Sequence, residues 1–91
     1  MAAQLMTPEH KEKLMRNRKV LVENISVKYM SYDLLQKNIF TTSEFKNIIS
    51  QQTREAKVEK LLDTLLRQPD EAYKKFIEVL RKIGQEHVAN L

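Results

Sequence analysis

Thr53-Arg-Glu-Ala-Lys-Val58-Glu-Lys-Leu61-Leu62-Asp-Thr-Leu65 is an amphipathic segment, and it decides the fold class of this chain. Its apolar residues recur at three- and four-residue intervals, which places them on one side of an α-helix. Thr53 precedes the stripe, where its hydroxyl can accept a hydrogen bond from an amide of the first turn. The segment therefore predicts a helix, capped by Thr53, that buries Val58, Leu61, Leu62 and Leu65.

The residues before this segment carry a second helix-start signal. Thr41-Thr42-Ser43-Glu44 has the pattern of a capping box, in which Thr41 caps the helix and the Glu44 side chain returns to the Thr41 amide. The helix that follows is predicted to bury Phe45, Ile48 and Ile49.

The residues after the segment predict another helix. In Gln68-Pro69-Asp70-Glu71, Pro69 suits the first helical position, and the two carboxylates suit the positive end of the helix dipole. Gly84, the only glycine, is predicted to end this helix in a left-handed conformation. The predicted buried residues are Tyr73, Phe76, Ile77 and Leu80. A last short helix over residues 85–91 is predicted to present Val88 and Leu91.

The front of the chain predicts two more helices. Thr7 and Pro8 suit the cap and the first position of a helix that ends near Ile25. A short helix from Val27 to Gln36 follows. The residues predicted to face inward are Leu14, Leu21 and Ile25 on the first helix, and Val27, Met30, Leu34 and, less firmly placed by the pattern, Leu35 on the second. The whole pattern is that of an all-α bundle of six helices.

Composition limits the classes of protein that fit. A length of 91 residues suits one domain, and one glycine with two prolines favours helices over a turn-rich β fold. The absence of cysteine excludes disulfides and thiolate metal sites, and the first six residues are too short for a signal peptide or a membrane span. We therefore expect a protein of the cytoplasm that is not held in a membrane.

The order of helices and apolar positions over residues 8–91 resembles a caspase recruitment domain (CARD) of the death-domain superfamily, with residues 1–7 as an N-terminal extension. The segments that carry the resemblance are Leu14-Met-Arg-Asn-Arg18-Lys-Val-Leu21-Val-Glu-Asn-Ile25, Asp33-Leu-Leu-Gln-Lys-Asn-Ile39-Phe-Thr41, Val58-Glu-Lys-Leu61-Leu62, Ala72-Tyr73-Lys-Lys-Phe76-Ile-Glu-Val-Leu80 and Gly84-Gln-Glu-His-Val88-Ala-Asn-Leu91. The chain is most similar to the prodomain of an initiator caspase of the caspase-two type, and next to the CARD of the apoptosome scaffold.

The resemblance implies an antiparallel six-helix Greek-key bundle, the death fold, with a bent first helix. It also implies homotypic CARD–CARD binding to a caspase or an adaptor in apoptosis or inflammatory signalling, with possible homo-oligomers on activation. Any protease activity would belong to another domain of the full-length protein. Other death-fold subfamilies stay open as alternatives, although the Arg-x-Asp-Leu pattern expected near the end of a death-effector domain is absent.

Catalysis finds little support in the residues. His10 and His87 are the only histidines, and neither belongs to a pair with metal-ligand spacing. The serines lie in no nucleophile-elbow context, and no glycine-rich phosphate loop is present. We therefore expect solvated histidines, no cofactor, no metal and no enzyme activity in this domain.

Basic residues of the first and fourth predicted helices are the main functional signal, because the resemblance implies that they meet acidic residues of a partner CARD. The candidate basic face comprises Lys13, Arg16, Arg18, Lys19, Arg54, Lys57 and Lys60. A weaker acidic face comprises Asp33 and Glu44. Arg18 matches the family's basic first-helix position, and a solvated arginine whose stem packs on Val22 is the equal alternative.

Three further alternatives stay open. Glu55 and Glu59 stand where caspase CARDs can carry basic residues, so a solvated face with the local pairs Lys60–Asp63 and Asp63–Arg67 is a second interpretation of the fourth helix. Tyr29 and Tyr32 fit either partner contacts or, preferably, partly buried structural positions. A small nucleic-acid-binding domain is the rival function, supported by the basic first helix and opposed by 12 interspersed carboxylates and by the lack of an evident recognition helix.

Overall fold

The computed structural model of the chain describes residues 5–85, and these form six α-helices without a β-strand. The predicted all-α fold is confirmed. The last predicted helix, with Val88 and Leu91, lies outside the described residues apart from Gln85. The helices are α1 (Pro8–Arg16), α2 (Arg18–Asn24), α3 (Val27–Gln36), α4 (Thr42–Ile49), α5 (Arg54–Leu65) and α6 (Asp70–Lys82).

Hydroxyl caps begin three of the helices at the predicted residues. Thr7 accepts a hydrogen bond from the His10 amide, and Thr53 accepts one from the Ala56 amide. Thr41 and Glu44 form the complete capping box at the start of α4. These bonds satisfy amides that the first helical turn leaves without backbone partners.

The start of α6 differs by one residue from the prediction. Pro69 is the N-cap of this helix rather than its first residue, with extended backbone angles of φ −61° and ψ 161°. An N-terminal segment of the same chain explains this conformation, because the Met6 amide donates to the Gln68 carbonyl at 3.0 Å and Leu5 pairs with Pro69 in an isolated β-bridge. Pairing with this N-terminal segment keeps Pro69 extended.

The first predicted helix is divided into two, α1 and α2. Asn17, with φ −100° and ψ 10°, separates α1 from α2. Its side-chain amide and its backbone amide both donate to the Lys13 carbonyl, at 2.8 Å and 3.1 Å. The bend that the CARD resemblance implies is therefore present, and it lies at Asn17.

The core follows the predicted apolar stripes, with α5 packed against α2, α3 and α4. Leu35 and Ile49 are exposed, so the inward positions predicted for both are wrong. Buried residues that the pattern did not predict include Met6, Ile39, Phe40 and Val79. Gly84 has a φ of +84°, which confirms the predicted left-handed conformation after α6. The division of the chain at residue 8 stays a prediction, although Met6 already packs in the core.

Candidate interaction surface

A groove between α2, the end of α1 and α5 gathers most of the predicted basic residues of the first helix. We name it the α2–α5 groove; it has a volume of about 530 Å³, and its lining residues are Met15, Arg16, Arg18, Lys19, Val22, Glu23 and Glu59. Met15 is 63% exposed, and half-buried Val22 adds a second apolar side chain. The groove therefore combines an accessible apolar floor with cations and carboxylates at its rim.

Arg18 is occupied within the molecule. Its Nε donates to the Glu59 carboxylate, and its Nη2 donates to the Asp63 Oδ1 at 2.9 Å and to the Glu59 carbonyl at 3.2 Å. Partial burial alone would lower the pKa of Arg18, but hydrogen bonds and charge interactions with Asp63 and Glu59 outweigh that effect and raise it. Arg18 is therefore not the solvated arginine of the second sequence interpretation, because its guanidinium joins α2 to α5, and a contact with a partner stays a prediction.

Three other cations of the predicted basic face contact groups of this chain. Arg54 donates from Nη1 to the carbonyls of Val22 and Ile25, both at 2.7 Å, and so caps the end of α2. Arg16 pairs with Glu12 on α1 at 2.5 Å, while two-thirds of its side chain stays exposed. Lys13 lies 4.0 Å from Glu9.

Three lysines complete the predicted basic face. Lys19 is exposed on α2, and Lys57 and Lys60 are half-buried on α5. Within residues 5–85, no ion pair involves any of the three. Their ammonium groups are the cations of the predicted face that the described part of the chain leaves for a partner.

The predicted acidic face is engaged inside the domain. Asp33 is 13% exposed and pairs with Lys82 of α6 at 2.8 Å. Glu44 accepts from the Thr41 amide at 2.9 Å with one oxygen and from the Gln68 side chain at 3.0 Å with the other. The ion pair with Asp33 raises the pKa of Lys82, chiefly through their hydrogen bond. Both carboxylates therefore stabilise contacts between parts of this chain.

His10 is not the solvated side chain that the sequence predicted. Its Nδ1 lies 2.5 Å from the Asp70 Oδ1, and its ring stacks on the ring of Tyr73. His87 lies outside the described residues. Among residues 5–85, no cluster of three or more histidine and carboxylate side chains could hold a metal ion.

Tyr29 and Tyr32 of α3 are 75% and 68% exposed, so the preferred prediction of partly buried structural tyrosines is wrong. Both rings lie on the side of α3 that faces away from the core, and the alternative of partner contacts stays a prediction. No helix within the described range is both long and apolar enough to cross a membrane.

Comparison with known proteins identifies the family. The sequence model of the caspase recruitment domain matches residues 11–91. The chain belongs to the CARD family. CARDs are non-catalytic protein-interaction domains, so the domain is an interaction module rather than an enzyme.

Apoptotic protease-activating factor 1 from Danio rerio is a relative of this CARD, with 27% identity over 86 residues. The alignment covers 94% of this chain and 7% of the relative, so the chain spans a small part of the curated protein that it matches. The particular similarity to the prodomain of a caspase of the caspase-two type stays a prediction.

Sequence reasoning missed two groups of this CARD that shape the α2–α5 groove. Asp63 was assigned to local pairs with Lys60 and Arg67, and Glu59 to a solvated face, yet both carboxylates bind Arg18. Their spacing of four residues gave a signal, because it places two carboxylates on one side of a helix within reach of one guanidinium. Met15 follows buried Leu14 on α1 and is itself exposed.

Proposed function

We propose that this CARD recruits a second CARD-containing protein, a caspase or an adaptor, and that the α2–α5 groove is its binding surface. The observation that carries the proposal is that exposed Met15 lines this groove together with the cations Arg16 and Lys19. An accessible apolar side chain flanked by charges is typical of a protein interface, in which apolar contacts supply affinity and charges supply orientation.

The charge of the face supports a partner with an acidic surface. Arg16 and Lys19 lie at the groove, and Lys57 and Lys60 continue the positive charge along α5. The whole chain has a net charge of +4, which favours encounter with an acidic protein. Binding by this face should therefore weaken as salt concentration rises.

The acidic groups of this chain support a different molecule as the partner rather than another copy. Asp33 and Glu44, the carboxylates predicted for an acidic face, are engaged with Lys82 and with the cap of α4. A copy of this chain would therefore offer little free negative charge to the basic face. We propose binding between unlike CARDs as the main mode, with homo-oligomers on activation as the weaker alternative.

A role in apoptotic signalling is part of the proposal, and the name of the Danio rerio relative supports it. The partner and the domains that act beside this CARD are likewise proposals, because the relative is matched over only 7% of its length.

Titration calorimetry against a panel of purified CARDs with acidic surfaces tests this function. We expect saturable binding to at least one of them, weaker at moderate salt than at low salt, and weaker by about tenfold in Lys19→Glu. Lys74→Glu, an exposed position on α6, changes the net charge equally and is the matched control. An equal loss of affinity in both variants would show that the binding surface does not lie at the groove.

The same samples test the rival function. Absence of binding to every CARD, with retention of the folded domain on duplex DNA at physiological salt, would replace the recruitment function by nucleic-acid binding.

A further inference from the structure

We infer that Glu59 and Asp63 act as internal competitors for Arg18, so that they set the affinity and selectivity of the α2–α5 groove for an acidic partner. The inference rests on the proposed function and adds to it a pair of residues that weaken binding. The observation behind it is that one guanidinium at the groove is bound by two carboxylates of the same chain.

The geometry of the contact resembles the recognition of an acidic partner. Glu59 and Asp63 lie one turn apart on α5, and they approach Arg18 at Nε and at Nη2. The fork of donors on a guanidinium is the group that carboxylates of a partner would also use. A partner carboxylate that reaches Arg18 must therefore take a donor that Glu59 or Asp63 now holds.

The local charge opposes such a partner. Glu59 and Asp63 place two carboxylates around one guanidinium, and Glu23 adds another carboxylate to a lining that also holds the cations Arg16 and Lys19. Like charges within a few ångströms repel a partner carboxylate even before it displaces the internal one. Glu59 and Asp63 therefore weaken the binding of acidic partners that do not form enough other contacts with the domain.

The contact is open to exchange. The side chains of Glu59 and Asp63 are about half exposed, and that of Arg18 is 30% exposed. Ion pairs at this level of exposure are weakly held, because water competes for both groups. A partner with several carboxylates can therefore replace the internal pair, while a partner with one cannot compensate for the repulsion.

The double variant Glu59→Gln with Asp63→Asn tests the inference. Against the acidic CARD that binds the unmodified domain, we expect about tenfold tighter binding. The gain should disappear when Arg18→Gln is added, because the released guanidinium is its cause. The matched control is Glu71→Gln with Glu78→Gln, two substitutions on α6 that remove the same charge. This control also breaks one ion pair, that of Glu78 with Lys37 at the end of α3.

A readout without a partner accompanies the titration. In nitrogen-15 spectra, the Nε–H of Arg18 should exchange with water more slowly in the unmodified domain than in the double variant. Equally fast exchange in both would show that the internal pair does not hold Arg18, and it would overturn the inference.

The outcomes separate this inference from the proposed function. Equal affinity of the double variant and the control would overturn the competition and leave recruitment standing. A CARD that binds the double variant and does not bind the unmodified domain would support the competition in its strongest form. No binding by any version of the domain would overturn both.

Discussion

The imidazole ring of His10 lies flat on the phenol ring of Tyr73, with ring centroids 4.0 Å apart and planes 6° from parallel. The same imidazole reaches the Asp70 carboxylate through Nδ1, and that carboxylate also accepts from the amide and the hydroxyl of Thr7, at 3.1 Å and 3.2 Å. One carboxylate at the start of α6 therefore organises the start of α1, across more than 60 positions of sequence.

Replacement of His10 should destabilise the domain by removing both contacts. A stacked aromatic pair contributes about 0.5–1.5 kcal/mol beyond its buried area, and a hydrogen bond contributes about 1 kcal/mol. We expect His10→Ala to lower the free energy of unfolding by about 1–2 kcal/mol, measured by urea denaturation. His10→Phe keeps the stacked ring and should lose less. Equal losses in the two variants would show that the stacking contributes nothing.

Asp70 should make the free energy of unfolding depend on pH in the acid range. A hydrogen bond from His10 is the largest cause that lowers the pKa of this carboxyl, followed by the hydrogen bond from the Thr7 amide. Because the pKa is lower in the folded state, the contribution is complete above the unfolded value of about 4, and it is lost as the pH falls through the folded value. Asp70→Asn should therefore be less stable than the unmodified domain near neutral pH.

The difference between the two proteins should narrow as the pH falls from about 5 to about 2. Urea denaturation at a series of pH values measures this dependence. A difference that stays constant over the acid range would contradict the assigned cause, because it would mean that the charge of Asp70 adds nothing to folding.

The helix starts of this domain could be predicted from sequence because the groups that form them lie three residues apart. Thr7, Thr41 and Thr53 each accept from an amide of their own first turn, and no distant residue is needed. The apolar stripe of α5 was equally accessible, because a period of 3.6 residues is a local property. These two signals were sufficient for the fold class and for most of the core.

The candidate site was harder to predict because its contacts join distant parts of the chain. Arg18 binds Glu59 and Asp63 at separations of 41 and 45 residues, and the sequence offered nearer partners, Lys60 and Arg67, for Asp63. At the break, the side-chain and backbone amides of Asn17 donate to the same carbonyl, and an asparagine inside a continuous helix looks the same in sequence. Long-range pairing therefore decided which predicted cations remain available.

The capping box distinguishes a structural role of Glu44 from a role in an acidic face. Thr41→Ala should lower the free energy of unfolding by about 1 kcal/mol, because an amide of α4 loses its partner. Glu44→Gln should change it by less than about 0.5 kcal/mol, since glutamine can also return to the cap amide. Denaturation of both variants measures this, and a large loss in Glu44→Gln alone would show that its negative charge is what matters.

A variant at Arg54 should distinguish a role in folding from a role in recruitment, because Arg54 was predicted on the basic face and it caps α2. Its two hydrogen bonds, to the carbonyls of Val22 and Ile25, satisfy acceptors that the last turn of a helix leaves free, and its charge favours that end of the helix dipole. We expect Arg54→Met to lower the free energy of unfolding by about 1–2 kcal/mol, measured by urea denaturation.

The matched control for Arg54 is Arg67→Met, which removes an equal charge from an exposed arginine just beyond the end of α5. This control should change stability by less than about 0.5 kcal/mol. At temperatures where the domain stays folded, Arg54→Met should bind an acidic CARD about as well as Arg67→Met does, because its guanidinium already serves α2. Unchanged stability with a selective loss of affinity would instead assign Arg54 to the binding surface, and the capping contact would then be dispensable for folding.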